Sequence, residues 1–323
     1  MKLVPLGDRV VIKALVAEET TKMQESTNEA LRQLPVRLLI ADYTDSSKAK
    51  AMSLAMNATA DIPYDAVVIM DADNTAGTSF LSELNPVFQS GARAVQAHRT
   101  AKNTNTDIAV LDAASEEINN SIFRSGHIAL GLSSALIGSG MALEACWFRQ
   151  HIHLLETAGE DKEMEALLLK QRIHIEYLEH VYVKDEKTQK KEGIKNQRKR
   201  WIAAQFDSLV RALPDFPKEL LRGNIDYCDK VFQWTLLPRI ILIFCTFFFT
   251  ILVTLVSPYS SIKWWILAFA LFLALFTAIP GHLLNKQLLR AIFQLPSLLL
   301  GIASNLFKLK GVNKKFIHTE HGN

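Results

Sequence analysis

The chain has 323 residues, a formal net charge of +3 and 49% hydrophobic residues. That length has room for about two domains, and so small a net charge gives no support for a nucleic-acid partner. The cysteines, Cys146, Cys228 and Cys245, have no metal-ligand or disulfide spacing, which argues against a zinc site or a disulfide scaffold.

Residues 9–183 alternate between strand-like and helix-like stretches. Strands are predicted at 9–17, 36–40, 65–70, 92–97 and 173–183, and helices at 18–33, 46–60, 78–90, 108–128 and 162–172. This alternation is typical of an α/β layer with a largely parallel sheet. Ligands of such sheets bind at the carboxyl ends of the strands.

The predicted strand at 65–70 ends in two carboxylates, Asp71 and Asp73. Two neighbouring carboxylates at the end of a buried strand are costly unless a positive charge lies between them. A divalent cation carrying a phosphate-bearing ligand would satisfy both. The alternative is a solvated, aspartate-rich turn.

Three more polar stretches are candidates for function. Residues 131–140 are rich in Gly and Ser. Such a stretch either lets the backbone approach a ligand closely or forms a tight turn. Residues 157–161 (T-A-G-E-D) precede a predicted helix, where acidic residues also serve as caps. The stretch 184–200 is strongly basic, and a charge run of this kind is typical of a solvated surface. It ends within Q-R-K-R-W at 197–201.

The last third of the chain predicts a membrane hairpin. Residues 240–256 contain no charged side chain, and two spans are predicted at about 236–256 and 264–284 with a short polar loop at 257–263. Trp264 and Trp265 lie where interfacial aromatic residues are expected.

Positive charge flanks this hairpin on both sides, while its loop carries only Lys263. The distribution predicts a multi-pass protein of the cell (inner) membrane with its α/β domain in the cytoplasm. A third apolar stretch, 288–307, is interrupted by Arg290, Gln294 and Pro296, which favours an interfacial or re-entrant helix over a third span. The predicted domains are therefore 1–231, a hairpin at 232–287, and a C-terminal segment at 288–323.

The order of the motifs resembles a known family. D-A-D at 71–73, G-E-D at 159–161 and Q-R-K-R-W at 197–201, followed by two membrane helices, resemble the processive, membrane-bound family 2 glycosyltransferases. That family has the GT-A fold, a mixed α/β sheet, and includes the cellulose, chitin and hyaluronan synthases. S-K-A-K-A-M at 47–52 is similar to the family's G-K-x-x-A-L element.

The resemblance implies an inverting, metal-dependent hexosyltransferase. It would move a sugar from a nucleotide-sugar, expected to be a UDP-sugar, to a growing glycan or polysaccharide beside the lipid bilayer. Asp73 would bind Mg²⁺ or Mn²⁺, Asp71 would contact the metal or the ribose, and Lys48 would face the nucleotide or its phosphates.

The resemblance also assigns residues to the acceptor. Asp161 would be the general base that takes a proton from the acceptor hydroxyl, with Glu160 as a supporting neighbour. An acceptor and diphosphate platform would be formed by Gln197, Arg200 and Trp201.

The N-terminal region departs from the family pattern. The V-P-x-x-N-E strand of the family is not found, and we expect a GT-A domain that is truncated at its N-terminus. The alternative function is accordingly an impaired homologue that acts as a non-enzymatic membrane or partner protein. A transporter has no support, because the predicted spans carry no charged residue to form an ion pathway.

Overall fold

The structure is a computed structural model that describes residues 9–14, 29, 32–33, 36–41, 47–157, 159–189, 191–293 and 295. The strands are β1 Arg9–Ala14, β2 Val36–Ala41, β3 Ala66–Ile69, β4 Thr75–Ala76, β5 Ala94–Ala101, β6 Met141–Glu144 and β7 Ile175–Asp185. The first helices are α1 Lys48–Ala58, α2 Phe80–Gln89, α3 Asp107–Asn120, α4 Gly126–Ala129, α5 Ala145–His151 and α6 Glu160–Lys170. The later helices are α7 Lys191–Ala212, α8 Phe216–Leu221, α9 Ile225–Thr235, α10 Arg239–Val256, α11 Pro258–Thr277 and α12 Lys286–Ile292. A π-helical segment, Ser121–Ser125, joins α3 to α4.

The described strands form a parallel pair, β1–β2, and a five-stranded sheet in the order β3-β6-β5-β7-β4. Strand β6 is antiparallel to both of its neighbours, with Ile69 opposite Met141 and Val95 opposite Ala142. The expectation of a largely parallel sheet is therefore wrong for these strands, and the sheet is mixed. Strand β6 itself was not predicted, because it is short and follows a Gly/Ser-rich stretch.

One face of the sheet is covered by α2. Phe80, Leu84 and Phe88 recur every four residues, so they form a single apolar stripe on this helix. The stripe packs in one buried cluster with Val95 and Val183 of the sheet. Burying it leaves the turns at the ends of β3 and β5 as the places where polar side chains can gather.

The chain divides into two compact units. The described residues of the first belong to 9–98 and 133–183, and those of the second to 99–132 and 184–295. The predicted helix at 18–33 lies almost entirely outside the described residues. Of the stretch 288–307, which was predicted as an interfacial or re-entrant helix, residues 288–293 and 295 are described, and residues 288–292 belong to α12. The rest of that stretch lies outside the described residues.

Several element boundaries differ from the predictions, and three of them concern the motifs and the apolar hairpin. Helix α6 begins at Glu160, so the acidic residues of G-E-D lie in its first turn and not before it. The basic run continues into a long helix, α7. Helix α11 begins at Pro258, so most of the predicted loop 257–263 is helical. Proline is favourable at a first helical position, because the missing N–H would have no intrahelical partner there.

In the described part of the chain, α10 and α11 are the helices long and apolar enough to cross a membrane by length and composition, and 11% of each is buried. They contact each other through polar as well as apolar groups. Thr250, fully buried, donates to the Trp264 carbonyl at 3.4 Å, and the Trp265 indole donates to Thr254 at 3.1 Å.

Candidate active site

The turn after β3 is held in place by one buried serine. The Asp71 backbone N–H donates to Ser139 Oγ at 2.9 Å, and the Asn74 side-chain amide donates to the same oxygen at 2.6 Å. Ser139 lies just before β6, which pairs with β3, and so reaches the D-x-D turn across the sheet. The antiparallel pairing therefore fixes the position of Asp71.

Lys48 joins three of the motifs. It lies in the first turn of α1, which begins after Ser47, whose side chain accepts a hydrogen bond from the Lys50 N–H. Its ammonium is 2.5 Å from Asp71 Oδ1 and 3.8 Å from Glu160 Oε1, and it donates to the Gly138 carbonyl at 2.6 Å. The structure thus brings Lys48, Asp71 and Glu160 together from distant parts of the chain.

Gly138 makes this close approach possible. Its φ of +77° is a left-handed conformation that residues with a Cβ rarely adopt. A Cβ there would lie 3.6 Å from both Lys48 Nζ and Glu160 Oε1 and 3.9 Å from Asp161 Cβ. Gly138 and Ser139 of the Gly/Ser-rich stretch 131–140 therefore lie beside Lys48 and Asp71.

Two buried side chains that the sequence did not single out support this loop. The Gln96 amide nitrogen donates to the carbonyls of Ala97 and Ser139, both at 2.9 Å, and its oxygen accepts from the Ile137 N–H at 3.1 Å. Glu165 on α6 accepts from the Leu136 N–H at 3.0 Å. Polar residues at buried positions of β5 and α6 are the sequence signal that could have identified them.

Glu160 and Asp161 are the first two residues of α6, and they have different surroundings. Glu160 is buried, and this burial, followed by the charge of Asp161, raises the pKa of the Glu160 carboxyl from 4.5 to about 7. Asp161 is half-buried, and its carboxylate accepts from the Lys162 N–H at 2.9 Å. The pair therefore combines a carboxyl that can hold a proton near neutral pH with a more accessible carboxylate.

The chemistry of this donor set fits a divalent cation. Asp71 and Asp73, both half-buried, offer the hard oxygen ligands that Mg²⁺ and Mn²⁺ prefer. Even with Glu160 protonated, the carboxylates of Asp71 and Asp161 outnumber the Lys48 ammonium among the described residues of this site, so added positive charge would be stabilising. Within the described ranges, no three potential ligand side chains come together as a complete protein site.

The remaining predicted residues lie on α7, in the second unit. Gln197 and Arg200 are half-buried and Trp201 is 38% exposed. The Gln197 amide oxygen is buried without a hydrogen-bond partner among the described residues. The Arg198 guanidinium lies 5.5 Å from the Trp201 ring centroid, within the range of a cation–π contact. In the second unit, the Q-x-x-R-W residues therefore lie close together on α7, with the Arg198 guanidinium beside the Trp201 ring.

Comparison with known proteins identifies the family. A family model described as glycosyl transferase family group 2 matches residues 66–277. The chain belongs to this family. The match includes D-A-D, G-E-D, Q-R-K-R-W and both apolar helices, whereas Lys48 lies outside it. The predicted membership of glycosyltransferase family 2 and the predicted α/β fold of GT-A glycosyltransferases are confirmed.

Among solved structures, the chain is similar to the mannosyltransferase PcManGT from Pyrobaculum calidifontis, in complex with GDP-Man and Mn²⁺. The two are 14% identical, the match covers 92% of this chain and 77% of that one, and the TM-score is 0.47. A similarity of that size supports no argument about substrate or metal. No curated protein matches the chain.

Proposed function

We propose that this glycosyltransferase is a membrane-bound, metal-dependent, inverting hexosyltransferase. It transfers a sugar from a nucleotide-sugar, which we expect to be a UDP-sugar, to the hydroxyl of a growing glycan. The observation that carries the proposal is the meeting of Lys48, Asp71 and Glu160, with Asp161 beside Glu160, in the first unit.

The reaction requires one proton acceptor and one stabilised leaving group. As the acceptor oxygen bonds to the anomeric carbon, its proton passes to the Asp161 carboxylate, and the bond from that carbon to the diphosphate breaks. A single displacement inverts the anomeric carbon. Asp161 suits this role because it is half-buried and so remains open to an acceptor.

The negative charge of the diphosphate would be neutralised by cations. Asp71 and Asp73 would hold Mg²⁺ or Mn²⁺, which when bound neutralises the charge that develops on the leaving phosphates. Lys48 is already oriented by Asp71 and the Gly138 carbonyl, and its remaining N–H would face the nucleotide. Arg200 would pair with phosphate, and Trp201 would offer an apolar face to a sugar ring.

The test is turnover of a panel of UDP- and GDP-sugars by the full-length protein in detergent with Mg²⁺ or Mn²⁺. Asp161→Asn should lower turnover by about 10²–10⁴-fold, the range of a general base. Asp61→Asn, which changes an exposed aspartate of the same unit, should leave turnover unchanged.

Two results would change the proposal. Unchanged turnover in Asp161→Asn would remove the base assignment. Absence of both turnover and metal-dependent donor binding in the wild-type protein would favour the alternative, a non-enzymatic membrane protein of the same family.

A further inference from the structure

Two arginines of the second unit converge on one residue of α3. The Arg198 guanidinium donates to Ser115 Oγ at 2.9 Å. Arg239 donates to the Ser115 backbone carbonyl at 3.3 Å and also to the Asn119 side-chain oxygen. Two positive side chains thus share the polar groups of a single serine, which places like charges close together.

This positive charge is poorly compensated. Among the described residues, no carboxylate forms an ion pair with Arg239, and the acid nearest to Arg198 is Asp112, at 3.6 Å. Asp112 is therefore the one described carboxylate that faces these two arginines, and the burial of its carboxyl raises its pKa. The Arg198 Nε is buried and has no acceptor in the described part of the chain. The pair therefore retains donor capacity and net positive charge for an anion.

The position of Arg239 indicates what kind of anion fits. It is the first residue of α10, and no charged residue follows it to the end of that helix at Val256. The N-terminal end of a helix adds a partial positive charge and free backbone N–H groups. In a helix that crosses a bilayer, its first residue lies near the lipid headgroups.

We propose that Arg198 and Arg239, at the start of α10, bind the phosphate group of a lipid. Guanidinium groups bind phosphate through paired, charge-assisted hydrogen bonds, and basic pockets beside membrane helices bind lipid headgroups. The site rests on the membrane placement in the proposed function. Its residues belong to the second unit and those of the carboxylate cluster to the first, so variants in each unit test the two separately.

The binding test uses calorimetry on the full-length protein in a non-ionic detergent. Three probes separate the sources of phosphate: dihexanoyl phosphatidic acid, dihexanoylglycerol with the same chains but no phosphate, and inorganic phosphate. We expect phosphatidic acid to bind, dihexanoylglycerol not to bind, and inorganic phosphate to bind at least about tenfold more weakly than phosphatidic acid. Inorganic phosphate binding as tightly as the lipid would overturn the lipid assignment.

Variants locate the site. Arg198→Gln combined with Arg239→Gln removes both positive charges and should weaken phosphatidic acid binding at least about tenfold. Replacing both arginines by lysine keeps the charge and should restore part of the affinity, which separates lost binding from lost folding. Arg211→Gln is the matched control, because this arginine of α7 forms a surface pair with Asp207. Unchanged affinity in the double glutamine variant overturns the proposal.

One further variant distinguishes this site from the proposed reaction. Asp161→Asn should lose turnover and bind phosphatidic acid like the wild type. Lipid binding by a wild-type protein that turns over no donor would leave the site standing and refute the reaction. Turnover by a wild type that binds no phosphatidic acid would leave the reaction standing and refute the site.

Discussion

At the scale of single residues, the candidate site depends on a few polar groups that the backbone holds at close range. The Lys48 ammonium compensates the negative charge of Asp71 and lies 3.8 Å from a second carboxyl group, that of Glu160. The carbonyl of Gly138 completes the arrangement by accepting from the same ammonium. Because a single cation serves these groups, small displacements of the loop carrying Gly138 should change the site's electrostatics.

Substitution of Gly138 tests this dependence. Gly138→Ala forces a residue with a Cβ into a left-handed conformation, at a cost of roughly 1–2 kcal/mol, and brings a methyl group to 3.6 Å from Lys48 Nζ and Glu160 Oε1. We expect turnover to fall about tenfold or more, as measured by release of nucleoside diphosphate. Gly131→Ala is the control, because Gly131 has a similar φ of +75° but nothing within 4 Å of the added Cβ. Equal losses in both variants would mean that backbone strain alone, and not the site, explains the effect.

Glu160 predicts a pH dependence of stability. Its pKa is raised from 4.5 to about 7 in the folded protein, so the folded state retains a proton that the unfolded state releases in this interval. The free energy of unfolding should therefore fall as the pH rises from about 4.5 to 7, by about 3 kcal/mol at most. Glu160→Gln removes this loss, so its melting temperature in detergent without divalent cations should exceed that of the wild type more at pH 8 than at pH 5. Glu156→Gln, at an exposed position, is the control, and its melting temperature should differ from that of the wild type by the same amount at both pH values. If the melting-temperature difference between Glu160→Gln and the wild type did not grow with pH, the raised pKa of Glu160 would be contradicted.

At the scale of elements, the sequence predicted the parts whose signals are local. An apolar run that ends in two aspartates correctly predicted a strand, β3, and the turn at Asp71, although in β3 only Ile69 is fully buried and the other residues are half-buried. The roles of Ser139 and Gln96 could not be predicted in this way. They depend on the antiparallel order β3-β6-β5, which brings residues more than forty positions apart into contact. Helix α7 was missed because its basic start is compatible with a solvated loop as well as with a helix.

Helix α3 of the second unit has a buried charged face. Glu116 accepts from Arg99 at 2.8 Å and from Lys187, and Lys187 also pairs with Asp185 at 2.8 Å. Burial opposes ionisation of Glu116, but the charges of Arg99 and Lys187 hold its pKa well below the ordinary value. The network therefore joins α3 to the strand ends at Arg99 and Asp185 within this unit.

Removing Glu116 should be strongly destabilising. Glu116→Ala leaves Arg99 and Lys187 with Asp185 as the carboxylate they still share, and breaking a buried pair costs at most about 3–5 kcal/mol. Thermal unfolding in detergent measures the loss. Asp207→Ala is the matched control, because its pair with Arg211 is exposed and exposed pairs of this spacing contribute at most about 0.5 kcal/mol. Similar melting temperatures for both variants would show that the buried network contributes little.

At the scale of the whole molecule, the function depends on whether α10 and α11 cross a bilayer. Their apolar side chains are mostly exposed, which is unfavourable in water and expected in lipid. Only Ser257 separates the two helices, so both must enter and leave together as a tight hairpin. The Lys and Arg residues before α10 and after α11 predict that both outer ends are cytoplasmic.

This topology predicts which cysteines a membrane-impermeant maleimide can reach. Tyr259, 87% exposed at the start of α11, should lie on the side opposite Lys218 of α8. In a Cys146→Ser background, which removes the exposed native thiol, Tyr259→Cys should be labelled in intact right-side-out membrane vesicles. Lys218→Cys should be labelled only after the vesicles are opened, because the predicted topology places α8, which precedes α10, on the cytoplasmic side. Labelling of both positions only after opening would mean that the hairpin does not cross, and the second unit would then bind the bilayer from one face alone.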